Sequence, residues 1–85
     1  MLLAKERKLI IEYGKKLIHS QLTTGTGGNL SIYNPVEKLV AIKPSGVDYM
    51  VMQPEDVVVV SLDGATVDGV LMPSSELKIH LALYH

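Results

Sequence analysis

The chain has 85 residues, a net charge of −1, 47% apolar residues and no cysteine. One small domain is the most that length allows, and disulfides and thiolate metal sites are excluded. Interspersed charges of both signs favour neither nucleic acid nor an anionic membrane, and four Tyr without Phe or Trp make no base-stacking platform.

Nearly half the residues being apolar is rich for so short a chain, so part of that surface is expected to meet something else, the rest of a larger domain or a neighbouring subunit. The longest apolar run, Val57-Val58-Val59-Val60, is far short of a membrane span. At the start, Leu2-Leu3-Ala4 gives way at once to Lys5, Glu6, Arg7 and Lys8, the wrong order for a signal peptide. A cytoplasmic location is the resulting expectation.

Residues 1–21 predict an amphipathic helix. Leu3, Arg7, Ile10, Gly14, Leu17 and Ile18 recur at three- and four-residue spacings, with Lys5, Lys8, Glu12, Lys15 and Lys16 around the remainder. His19 lies near the helix end, where its interaction with the terminal carbonyls is expected.

The following stretch, Thr23-Thr24-Gly25-Thr26-Gly27-Gly28-Asn29-Leu30-Ser31, has glycine at three of four consecutive positions. Consecutive amides in such a loop can form an anion-binding nest, and a loop that merely stops a helix and starts a strand would use the same residues. It is neither a GxxxxGK[ST] phosphate loop nor a GxGxxG fingerprint, since the lysine is missing and the loop runs from helix to strand.

Leu30, Ile32 and Tyr33 predict a strand ended by Asn34-Pro35, and residues 39–42 a second strand paired with it as a hairpin. That strand runs into Lys43-Pro44-Ser45-Gly46, which is either a plain turn or a phosphate contact made by a lysine and a Ser-Gly amide. Residues 53–56 read as a short helical turn or loop. Residues 57–62, β-branched and apolar on both faces, predict a central strand. Asp63-Gly64 marks a hairpin turn, and 65–71 return as a strand with a bulge or bend at Gly69.

Met72-Pro73-Ser74-Ser75-Glu76 then predicts a helix start, with Pro preset for a first turn and Ser as cap. The unpaired amides of such a start suit an anion, so a phosphate could sit on Ser74 and Ser75 with Glu76 beside it as acid, base or metal ligand. An ordinary capped helix would carry the same residues. Leu77, Ile79, Leu81, Ala82, Leu83 and Tyr84 make this helix apolar nearly all round, which predicts burial from several sides. His80 and His85 point about 140° apart on a helix and cannot share one ion. His80 is expected to serve as a hydrogen-bonding residue, with a Glu76/His80 pair as the less favoured use. No repeat, linker or low-complexity segment divides the chain, so residues 1–85 form one domain.

Gly27-Gly28-Asn29, Pro44-Ser45-Gly46 and Ser74-Ser75-Glu76 each stand at a predicted junction and offer neutral donors. Their order and spacing, with Pro54-Glu55-Asp56-Val57-Val58-Val59 followed by Asp63-Gly64, resemble the N-terminal part of the class II aldolase/adducin family, which includes L-fuculose-phosphate aldolase and L-ribulose-5-phosphate 4-epimerase. The resemblance implies an α/β fold, three α/β/α layers around a mixed, mostly antiparallel sheet, of which this chain is the N-terminal portion.

It also implies a phosphorylated sugar as substrate, held by Gly28, Asn29, Ser45, Gly46, Ser74 and Ser75. Glu76 is implied as the catalytic acid/base and as a ligand of zinc in the absence of substrate, with a homo-oligomer, a tetramer in the family. The zinc histidines of the family, an H-x-H pair and a later third, are expected beyond His85, so the 85 residues alone are expected to be inactive. Glu76 resembles the aldolases, whose epimerase relatives carry Asp there. Residues 43–49, with Lys43, resemble the epimerases. Retro-aldol cleavage of a ketose 1-phosphate is the leading expectation. Epimerisation and a non-catalytic interaction module, as in adducin-type members, are the alternatives.

Overall fold

The computed structural model describes residues 1–21 and 30–84. Its elements are α1 (Ala4–His19), β1 (Ser31–Asn34), β2 (Leu39–Ile42), a 3₁₀ turn (Pro54–Asp56), β3 (Val58–Ser61), β4 (Thr66–Asp68) and α2 (Leu77–Tyr84). The strands form one sheet in the order β1-β2-β3-β4, every neighbour antiparallel. β3 is interior, as its valine run predicts, and residues 57–60 are wholly buried.

The period-2 alternation of side chains along a strand gives the sheet two apolar faces. Ile32, Ala41, Val57 and Val59 pack with Leu3, Ile10 and Ile11 of the α1 segment, whereas Tyr33, Val40, Ile42, Val58 and Val60 pack with Leu77, Leu81 and Tyr84 of α2. Each helix therefore takes one face, which makes the expected three α/β/α layers.

α1 keeps the predicted face: Arg7, Ile10 and Gly14 are buried, together with Ile11. Arg7 is a buried cation because its fork is filled. Nε donates to Leu2 O at 2.7 Å, Nη1 to Pro54 O at 3.2 Å and Nη2 to Asp68 Oδ2 at 2.6 Å. That last bond holds the Asp68 carboxyl below the usual carboxylate range.

The β1–β2 hairpin turns on Asn34, whose Oδ1 accepts from the amides of Val36 and Glu37 and whose Nδ2 donates to Glu6 on α1. β4 is shorter than predicted. Its register slips between Val59 and Val60, so the irregularity falls at Val67, and Gly69 follows with φ of 119°. A Cβ at Gly69 would stand 3.3 Å from Val58 Cα, so the chain passes close to β3 there.

α2 departs from expectation twice. It begins at Leu77 and not directly after Pro73, because Pro73 is held in a bridge to Pro44. Nor is it buried from several sides: Leu81 is its one buried side chain, while Ile79 is 62% and Leu83 78% exposed. One helix face can meet one sheet, and the described residues place nothing against the other. Val70 at 97% and Met72 at 76% are also open apolar side chains, in keeping with the apolar excess of the sequence.

Tyr49 is the keystone on the α1 side. Its ring is fully buried, and a Cβ at Gly14 would overlap ring atoms Cγ, Cδ1 and Cε1. Ala improves on Gly in a helix by up to about 1 kcal/mol, but overpacking a core costs about 1–3 kcal/mol. Gly14→Ala is therefore expected to destabilise the fold, read as a lower denaturant midpoint.

Burial pushes the Tyr49 hydroxyl up to about 12, with a hydrogen bond to the Leu30 backbone opposing the shift. The folded state thus holds this proton at a pH where the unfolded chain has released it, and stability falls as pH climbs from about 10 towards 12. Subtracting the ultraviolet titration of Tyr49→Phe from that of the parent should place the Tyr49 phenolate signal near pH 12. A signal near 10 in the folded protein would contradict the burial argument.

Candidate active site

Proline offers no N–H, which normally ends a ladder. Pro44 and Pro73 nevertheless face each other across an antiparallel bridge. The bonds run through their neighbours: Ser45 N–H donates to Met72 O and Ser74 N–H to Lys43 O, both at 2.9 Å. In this non-hydrogen-bonded position neither proline needs a donor, so two chain breakers act as a clasp. The clasp brings the turn after β2 against the segment that starts α2. The segments that carry Ser45-Gly46 and Ser74-Ser75-Glu76, separate in sequence, are thereby joined.

Gly46 adopts φ of 74°, where a Cβ would be strained even though space is open around it. Ser45 and Gly46 are exposed. Ser74 is buried, and its Oγ accepts from Glu76 N–H at 3.2 Å while its carbonyl accepts from Leu77 N–H at 3.0 Å. Ser74 is thus the cap, and Ser75 and Glu76 stand outward from it. Both are exposed, and the Glu76 carboxylate has no hydrogen bond or ion pair among the described residues. Gly28 and Asn29, the other two expected substrate contacts, lie outside the described residues.

Lys43, by sequence either a phosphate contact or part of a plain turn, points inward. It is buried, its Nζ donates to Pro44 O at 2.9 Å and stands 5.3 Å from the centre of the Tyr49 ring. Burial lowers its pKa, with Asp48 pulling the other way. The lysine braces the turn from beneath.

Sequence reasoning missed the proline clasp, although a Pro-Ser pair at each junction was the available signal. It also missed the partner of His80. Ser31 Oγ lies 2.6 Å from His80 Nδ1 and 2.8 Å from Tyr84 Oη, so His80 is a hydrogen-bonding residue as expected.

As for a metal, the described residues contain no group of three or more His, Cys, Asp or Glu side chains placed to hold an ion. Glu76 alone does not make a zinc site, and the donor set of these residues does not by itself fit one. A shallow open cavity of about 250 Å³ lies elsewhere, between α1 and the 3₁₀ turn, lined in part by Lys8, Glu12, Lys15 and Pro54. None of the candidate residues borders it. Among the described residues no helix is long and apolar enough to cross a membrane.

Residues 8–85 match the model of the class II aldolase and adducin N-terminal domain. The chain belongs to this family. It is 57% identical over 84 residues to 5-deoxy-D-ribulose 1-phosphate aldolase of Bacillus thuringiensis serovar kurstaki, covering 99% of this chain and 39% of that protein. It is 42% identical over 80 residues to L-ribulose-5-phosphate 4-epimerase of Salmonella typhi, covering 94% of this chain and 35% of the relative. A solved L-fuculose 1-phosphate aldolase superposes with a TM-score of 0.93 at 43% identity, over 99% of this chain and 40% of that one. The three layers are therefore the class II aldolase fold, and the chain spans about two fifths of the length of these relatives.

The two neighbouring serines should separate in stability measurements. Ser74→Ala removes a cap acceptor and is expected to cost about 1 kcal/mol, read from denaturant midpoints at constant m-value. Ser75→Ala, exposed and outside the cap, should stay within about 0.5 kcal/mol of the parent.

Proposed function

We propose that the chain is the phosphate-holding, acid/base part of a sugar-phosphate lyase that cleaves a ketose 1-phosphate to dihydroxyacetone phosphate and an aldehyde. The observation that supports this reading is the clasp, which joins the segment of exposed Ser45-Gly46 to the segment of exposed Ser75-Glu76. Neutral hydroxyls and amides suit a phosphate dianion, and an unpaired carboxylate one residue further on is free to move a proton.

In this reading Ser45, Gly46, Ser74 and Ser75, with Gly28 and Asn29, hold the phosphate and Glu76 shuttles the proton at the carbon left when the carbon–carbon bond breaks. Ser74 contributes chiefly by fixing the amides around it, its Oγ being engaged at the cap. Zinc is part of the proposal as the metal the family resemblance implies. When bound, such an ion polarises the carbonyl and stabilises the negative charge of cleavage. Its ligands would have to include groups beyond the described residues.

Assembly into a homo-oligomer belongs to the same proposal. The open apolar surface of Val70, Met72, Ile79 and Leu83 supports a covered state of α2 in the whole protein. Glu76 and the 57% identity to an aldolase favour cleavage over epimerisation. Epimerisation of a pentulose 5-phosphate is the second reading, supported by Lys43 and by the 42% identity to an epimerase.

Purified protein carrying this chain should release dihydroxyacetone phosphate from 5-deoxy-D-ribulose 1-phosphate or L-fuculose 1-phosphate. Glu76→Gln is expected to lower kcat on the order of 10²–10⁴-fold with the fold intact. Cleavage at the parent rate by Glu76→Gln would remove the acid/base role. Turnover of L-ribulose 5-phosphate without triose release would exchange the first reading for the second.

A further inference from the structure

We infer that Ser31, His80 and Tyr84 form a positioning network that sets where Glu76 projects, an inference that rests on the acid/base reading of Glu76. Ser31 opens β1, and its Oγ bonds two side chains of α2 at once, His80 Nδ1 at 2.6 Å and Tyr84 Oη at 2.8 Å. The Tyr84 hydroxyl also reaches Ser31 O at 3.2 Å, and its ring stacks on Tyr33 of the same strand at 5.4 Å between centroids.

α2 needs such a tether. It has eight residues, too few for a helix to be stable by itself, and one buried side chain, Leu81. Apolar contact holds it to the sheet without strongly resisting rotation about its own axis or a slide along it. Hydrogen bonds are directional, so those to Ser31 remove both freedoms.

Glu76 immediately precedes α2, and His80 and Tyr84 follow it at four-residue spacing, His80 and Tyr84 sharing one face of the helix. His80 N–H donates to Glu76 O at 3.2 Å, so the residue gripped by Ser31 is itself bonded to the backbone of Glu76. At the other end, the Ser74 cap holds Glu76 N–H. The backbone of Glu76, from which the carboxylate projects, is thus held from both sides: by the clasp through Ser74 and by β1 through His80. Because Ser31 stands two residues after Asn29, the same hydroxyl ties the strand that follows the glycine-rich stretch to the helix that carries the acid/base.

A misplacement on the scale of 1 Å costs a reaction about 10²-fold, which sets the size of the expected effect. In protein carrying this chain, Ser31→Ala and His80→Ala should lower kcat for ketose 1-phosphate cleavage by about 10- to 100-fold while the protein stays folded by circular dichroism. His80→Asn, which can place a hydrogen-bonding atom near the position of Nδ1, should recover kcat to within about threefold of the parent. Tyr84→Phe, keeping the ring stack and one of the two Ser31 partners, should fall between.

Amide exchange supplies a readout independent of turnover. Ile79 and His80, whose amides bond to Glu76 O, should exchange faster in His80→Ala and Ser31→Ala and at the parental rate in His80→Asn. Unchanged kcat in His80→Ala overturns the inference, as does a kcat in His80→Asn as low as in His80→Ala. If the parent cleaves none of the sugar phosphates, the function proposed above fails with its acid/base. Exchange then still judges the tether, and rates equal across all four proteins would sink that too.

Discussion

The site depends on two backbone hydrogen bonds, from Ser45 to Met72 and from Ser74 to Lys43. They flank a pair of residues that cannot donate, and this is why the contact stays a single bridge and does not extend into a fifth strand. Released from a ladder immediately after the bridge, the chain is free to turn at Gly46 on one side and to start a helix on the other. The exposed hydroxyls, the amides and the carboxylate all sit on those two departures.

What lies beneath the clasp keeps it in place. Lys43, one residue before Pro44, is buried with its ammonium on the Pro44 carbonyl and over the Tyr49 ring. A buried ammonium costs several kcal/mol unless it is well partnered, so the lysine is a brace and gives the turn one well-defined position. The ring in turn occupies space left by the missing side chain of Gly14. The support therefore runs from α1 through Tyr49 and Lys43 to the clasp, and on the opposite face of the sheet from β1 through Ser31 and His80 to Glu76.

The two faces of the sheet are finished to different degrees. The α1 side carries Ile10, Ala41, Tyr49, Val57 and Val59 fully buried, whereas α2 leaves Ile79 and Leu83 open beside Val70 and Met72. The relatives are longer by more than half of their own length. The region that holds the candidate acid/base is thus the less enclosed part, held by Leu77, Leu81 and Tyr84 on the sheet together with the hydrogen bonds to Ser31.

Both hairpins, the central valine strand, the apolar stripe of α1 and the cap at Ser74 were legible in the residues, because each depends on neighbours within a few positions: alternation, helical spacing, Asn-Pro and Asp-Gly turns. The family was legible as well, through the order and spacing of three Ser-, Gly- and Asn-rich segments. The start of α2 was not legible, because Pro73 suits a first helical turn by its fixed φ while its bridge partner, Pro44, lies far away in the sequence. The inward position of Lys43 was not legible, because its neighbours in sequence suit a plain turn and a phosphate contact equally.

Tertiary structure alone decided which segments meet: Pro44 with Pro73, Ser31 with His80, Gly14 with Tyr49. Each of these depends on how the sheet stacks its helices, and any one sequence window contains only half of the contact. Local chemistry determined which elements form and which groups could bind a phosphate. Packing determined that the turn carrying Ser45 meets the segment entering α2, since the free energy that joins them resides in contacts between residues far apart in the chain.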